Sequence, residues 1–118
     1  MIVHIVLFEP RADLADDERR QVFEDLRAAA AAIPSVRRCR IGRRVLHGLP
    51  GYEQAMPPYT YAAIFEFDDA AALQGYLRDP AHEAIGHHFT AAAARALAYD
   101  FEMADAAHAD AAHLTRGV

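Results

Sequence analysis

Residues 2–8 read Ile2-Val3-His4-Ile5-Val6-Leu7-Phe8, apolar at every position except His4. Successive side chains of a strand point to opposite faces, so a strand of this composition has no side to turn toward water. The chain must therefore cover this segment twice, with its own helices on one face and with something else on the other. His4 is the exception within the run. An imidazole there without a partner is costly, so it must either bond within the core or reach a cavity. The run is soon followed by Glu9-Pro10 and is too short for a signal peptide or a membrane span.

At 118 residues and 53% hydrophobic composition the chain has room for one domain with a buried core. All 12 basic residues are arginine, and the net charge of −5 argues against general binding of nucleic acid or of an anionic membrane. The single Cys39 forms no internal disulfide and fits a reducing cytoplasm. No phosphate loop, nucleotide fingerprint, Cys-x-x-Cys pair or nucleophile elbow is present, so any chemistry is expected to come from side chains and shape, with no cofactor.

Along the chain, Asp13 or a neighbour is expected to cap a first helix carrying Asp16, Asp17 and Glu18 in its first turn. Its core stripe is Val22, Phe23, Leu26, Ala30 and Ile33, and Pro34 ends it. Residues 36–46 read as a polar strand and residues 47–58 as a Gly- and Pro-rich loop. From Tyr59 to Phe67 the alternation puts Tyr59, Tyr61, Ala63, Phe65 and Phe67 on one aromatic face of a third strand. Asp68 or Asp69 caps a short helix bearing Leu73, Tyr76 and Leu77. Asp79-Pro80 starts a second helical piece running to about Ala98, and Tyr99 to Met103 forms a last short strand. This order, β-α-β-β-α-β, is the ferredoxin-like α+β fold with a four-stranded antiparallel sheet. The sheet face away from the helices then needs a cover, and a second copy of the same sheet is the simplest one. Residues 1–103 form the domain and 104–118 an Ala-rich tail, frayed helix or disorder.

The segment YLRDPAHEAIGHHF, residues 76–89, gathers the polar groups of most interest. His82-Glu83 with His87 imitates a zinc-protease signature, but His82 and His87 are five apart, roughly 140° around a helix, so no metal site is expected. His82 lies three and seven positions before Ile85 and Phe89 and is aimed inward, whereas His87 and His88 fall off that stripe. In a first helical turn the dipole favours neutral imidazole, which suits a general base. Tyr76, across the Asp-Pro turn, is placed to donate a hydrogen bond to a developing oxyanion. The structural alternative is that His82 caps or bonds a carbonyl and Tyr76 only packs.

RRCRIGRR, residues 37–44, sends Arg38, Arg40 and Arg44 to one face and Arg37 and Arg43 to the other. It is either a solvated strand balancing the acidic first helix or, through Arg40, a contact for an anionic substrate group. Tyr61 and Phe65 on the third strand, Phe89 on the helix and Tyr52 in the long loop are the other candidate substrate-contacting residues. His108 and His113 of the tail are read as solvated.

The first strand MIVHIVLF with its His4, the helix exit Ile33-Pro34-Ser35-Val36, the segment from Phe67-Asp68-Asp69 to Tyr76-Leu77-Arg78-Asp79-Pro80-Ala81-His82, and the closing Asp100-Phe101-Glu102 together resemble the stress-responsive A/B barrel (Dabb) family. The resemblance implies a homodimeric α+β barrel in which two sheets face each other, with a small-molecule cavity between each sheet and its helices. Plant polyketide cyclases of that family carry out a cofactor-free aldol condensation with a tyrosine and a histidine that correspond by pattern to Tyr76 and His82. Their first-strand histidine corresponds to His4. The expectation is therefore a cytoplasmic, cofactor-free enzyme doing cyclase, aldol or isomerase chemistry, with His82 as base, Tyr76 as donor and His4 as an auxiliary polar group. A non-catalytic, stress-related ligand-binding or assembly protein, and a cofactor-independent monooxygenase of the dimeric barrel type, are the alternatives.

Overall fold

The computed structural model describes residues 1–117. Strand β1 (Ile2–Pro10), helix α1 (Asp16–Ala32), strands β2 (Arg38–Arg43) and β3 (Tyr61–Phe67), helices α2 (Ala70–Arg78) and α3 (Pro80–Ala92) and strand β4 (Ala93–Glu102) follow in order. A short helix α4 (Ala111–Thr115) lies in the tail after a 3-10 turn at Ala106–His108. The four strands form one antiparallel sheet in the order β2-β3-β1-β4, with the helices on one face: the ferredoxin-like α+β arrangement.

Register fixes which residues meet the helices. His4 pairs with Phe65 and Asp100, Val6 with Ala63 and Ala98, and Phe8 with Tyr61 and Ala96, so these side chains share the inner face. Phe8 is the centre of the core, with ring centroids 4.4 Å from Phe89, 5.4 Å from Tyr61 and 5.9 Å from Phe23. Leu26, Ala29 and Ile33 of α1 and its exit close over it, joined by Ala63, Phe65, Phe67, Tyr76 and Ile85. A carboxylate bridge links the two helices above: Asp25 of α1 accepts from Gln21 Nε2 at 2.9 Å and lies 2.7 Å from His88 Nδ1 of α3. The Gln21 hydrogen bond, then the His88 contact, hold the Asp25 carboxyl below its ordinary value.

The outer face is apolar too. Val3, Ile5 and Leu7 of β1 pair across the sheet with Phe101, Tyr99 and Leu97 of β4, which are 48%, 57% and 38% exposed. Arg38 and Arg40 stand at the β2 edge of this outer face, in register with Glu66 and Ile64.

Several boundaries depart from the sequence expectation. Helix α3 stops at Ala92 instead of Ala98, and β4 begins at Ala93 instead of Tyr99. The alanines here favour helix, but residues 93–98 find partners along β1 from Pro10 to Val6, and that pairing overrides a propensity of a few tenths of a kcal/mol per residue. The α1 N-cap is Ala15, with Glu18 Oε1 accepting from its amide at 3.2 Å, while Asp13 accepts from Arg11 Nε at 3.1 Å instead of capping. Strands β2 and β3 are shorter than residues 36–46 and 59–67. Gly48 and Gly51, with φ of 74° and 87°, turn the chain in the long β2–β3 loop.

Truncating Phe67, which is 1% exposed and packs against Tyr76 with ring centroids 5.1 Å apart, tests this core. Phe67→Ala is expected to cost about 3–5 kcal/mol in a urea titration, against less than about 0.5 kcal/mol for Glu83→Ala on the exposed side of α3.

Candidate functional site

One residue, Asp79, joins α2 to α3. Its amide donates to the Tyr76 carbonyl at 3.2 Å, closing α2, and its carboxylate accepts from the Ala81 amide at 2.8 Å, opening α3 with Pro80 in the first turn. This short joint brings Tyr76 and His82 together although they sit on different helices: their ring centroids are 4.5 Å apart. Tyr76, 2% exposed, is also 5.1 Å from Phe65 and 5.7 Å from His4, centroid to centroid.

His4 is 6% exposed and its Nδ1 lies 2.6 Å from Asp100 Oδ1, its cross-strand partner on β4. The carboxylate accepts a hydrogen bond from Nδ1–H, which leaves Nε2 as the ring nitrogen not engaged by Asp100, on a ring that lines the cavity.

The cavity lies between the inner sheet face and α3 and measures about 350 Å³. His4, Tyr76 and His82 are its ionisable lining groups, and Phe65, Phe89, Ile85, Leu26 and Val6 supply apolar wall. Its far wall is β4, whose inward Ala96 and Ala98 are too short to fill the space beneath α3. Burial pushes the Tyr76 hydroxyl upward, with the nearby Cys39 and Asp100 adding to the effect, so it stays a phenol and a donor. Burial lowers the His82 value, helped by His4 and opposed by the Leu77 main chain and Asp79, so the ring is held neutral. A neutral imidazole and a protonated phenol face the same space.

Of the residues picked out from sequence, His82, Tyr76, His4, Phe65 and Phe89 line this cavity. Tyr61 lies beyond Phe8, against Phe23 at 4.9 Å between centroids. Tyr52 is 61% exposed in the β2–β3 loop beside His47. Arg40 is on the outer face, the far side of the sheet from the cavity. His87 and His88 are exposed. His113 Nε2 in the tail is 3.6 Å from Glu102. Among the described residues no group of three or more His, Cys, Asp or Glu side chains is arranged to hold a metal ion, and no helix is long and apolar enough to cross a membrane. Sequence reasoning does not reach the role of Asp100. The signal that finds it is the β1–β4 register, which sets Asp100 opposite His4.

The family model of the Stress responsive A/B Barrel Domain (Dabb) matches residues 2–103. No curated protein matches the sequence. Among solved structures, a dimeric ferredoxin-like protein of unknown function from a Jannaschia species is similar at 26% identity and a TM-score of 0.69, over 86% of this chain and 98% of that one. Hydroxynitrile lyase from Passiflora edulis shares the fold at 14% identity and a TM-score of 0.77, over 88% of this chain and 94% of that one. A cofactor-independent oxygenase from Streptomyces nogalater shares it at 18% identity and a TM-score of 0.67, over 88% and 93%.

The lowered His82 value has a consequence for stability. Its folded-state affinity for protons is below that of an ordinary histidine at 6.5, so its contribution is complete above 6.5 and is lost as the pH falls through the folded value. An NMR titration is expected to place His82 below 6.5, and His82→Gln is expected to flatten that part of the acid slope in urea titrations.

Proposed function

The chain belongs to the Stress responsive A/B Barrel Domain family, and from that premise we propose that it is a small-molecule enzyme that moves protons within the cavity by side-chain acid-base chemistry. The observation that carries this reading is the Tyr76–His82 pair, ring centroids 4.5 Å apart, with a buried His4 held by Asp100 beside it. Phenol and imidazole are matched to a carbonyl compound. His82, neutral, takes a proton from the carbon next to the carbonyl; the C–H electron pair forms the carbon–carbon double bond, and the carbonyl π pair moves to oxygen. The Tyr76 hydroxyl donates a hydrogen bond to that oxygen as its charge develops. The protonated His82 then returns its proton to the same carbon, which is exchange, or to another carbon, which is isomerisation; or the enolate carbon attacks a second carbonyl of the same molecule, whose π pair moves to its oxygen and takes the proton from His82, which is aldol cyclisation. His4, its Nδ1 proton committed to Asp100, accepts a hydrogen bond through Nε2 and so orients a substrate hydroxyl. Asp100 is a positioning residue: it acts through His4.

We also propose that the functional unit is a homodimer, with the outer sheet faces packed together. The exposed Leu97, Tyr99 and Phe101 beside Val3, Ile5 and Leu7 support this, and so do relatives of about a quarter identity that are dimeric.

The catalytic reading is tested with phenylacetone in D₂O, following loss of its α-proton signal by NMR. The protein is expected to accelerate exchange. His82→Ala and Tyr76→Phe are each expected to lower the rate by about 10²-fold or more, with Tm nearly unchanged for Tyr76→Phe, whereas His87→Ala leaves both measures alone. The acid limb of the rate is expected below pH 6.5, following the His82 shift, because only the neutral ring accepts a proton. Ketone binding without acceleration would leave a binding protein and sink the catalytic proposal. For the dimer, sedimentation velocity at micromolar concentration is expected to give twice the chain mass for the parent and the chain mass for Tyr99→Asp/Phe101→Asp; a folded monomeric parent overturns it.

A further inference from the structure

Gly86 occupies a position where glycine has no local reason to be. It lies in the interior of α3, where only proline is a poorer helix former. It shares the inward stripe with His82, Ile85 and Phe89, the residues at i−4, i−1 and i+3. Nothing crowds it: a Cβ built on Gly86 has no atom within 4 Å, so close packing does not account for the missing side chain. What it does border is the cavity, opposite Ala96 and Ala98. Three positions on two elements thus carry the smallest side chains around one space. Thr90, one turn on, lines the same space with its hydroxyl already committed to the Gly86 carbonyl at 2.8 Å.

The lining also holds no permanently charged side chain. None of the described side chains around the cavity is an arginine, aspartate or glutamate, and Asp100 stands behind His4. An anion brought into this space would lose its hydration with no arginine in the lining to pair with it. Leu77, 39% exposed, lines the same space and offers apolar surface at its edge.

We propose that Gly86, with Ala96 and Ala98 facing it, sets the size limit for an uncharged substrate with an apolar body, which lies along these three residues while its oxygen reaches Tyr76. This deepens the proton-transfer reading and rests on it for the placement of the oxygen. Gly86 makes the specificity-determining contact; it takes no part in moving the proton.

The experiment uses the full chain and thermal-shift titrations with acetophenone, butyrophenone and hexanophenone, and with benzoate as the anion of the same ring. The parent is expected to be stabilised by the ketones and not by benzoate. Gly86→Leu is expected to keep acetophenone affinity within about threefold and to lose about tenfold or more for hexanophenone, and Ala98→Val on the opposite wall to give the same order. Gly86→Ala is expected to show an unliganded Tm no lower than the parent and a smaller, graded loss for the longest ketone; it keeps the test decisive if Gly86→Leu fails to fold. Equal affinity changes for all three ketones, stabilisation by benzoate matching that by the ketones, or a parent stabilised by no ketone would each overturn the proposal. The two readings fail separately. If the size dependence holds while His82→Ala leaves exchange of the bound ketone unchanged, the cavity is a sized binding site and the base assignment is what falls.

Discussion

Strand β1 has no polar face, and its place in the middle of the sheet follows from that. Only a central strand has both edges hydrogen-bonded, here to β3 and β4, while one face is roofed by helices. The roof needs Phe8 at its centre, and Phe8 draws in Phe23, Tyr61 and Phe89 from α1, β3 and α3. The same constraint governs His4. An imidazole in such a strand is tolerated only with a partner, and the register with β4 supplies one in Asp100. A requirement of folding thereby yields an oriented ring at the wall of a cavity.

The polar groups of that cavity come from four elements: His4 from β1, Tyr76 from α2, His82 from α3 and, behind His4, Asp100 from β4. None lies in the long β2–β3 loop. Burial acts on two of them in opposite directions, raising the phenol and lowering the imidazole. Both shifts favour the uncharged form, so a phenol and an imidazole share one space without ion-pairing.

Much of this is legible in the sequence because the signals are local. The apolar run of β1, the aromatic alternation through Phe65 and Phe67, and the Asp79-Pro80 joint are each written within a few residues, and the structure forms elements at each. What fails is what depends on partners far along the chain. Residues 93–98 are alanine-rich and read as helix, yet β1 lies beside them and they pair with it. Asp100 looks like any polar residue of a strand until β4 is set in register with His4. Arg40 shows the same limit in reverse: alternation separates the arginines by face, but which face meets the helices is decided by where Cys39 and Ile41 pack, and that turns Arg40 away from the cavity.

Asp79 serves two helices at once, as the last cap of one and the first of the next. The spacing between Tyr76 and His82 is therefore counted in residues and not merely held by packing. One residue added between Pro80 and His82 would swing the imidazole by about 100° around α3, off the inward stripe and toward the exposed side that Glu83 and His87 now take. Insertions in the β2–β3 loop carry no such penalty, since no lining residue of the cavity follows the loop's path. In this chain, then, length in that loop is uncoupled from the cavity lining, whereas length between Tyr76 and His82 is not.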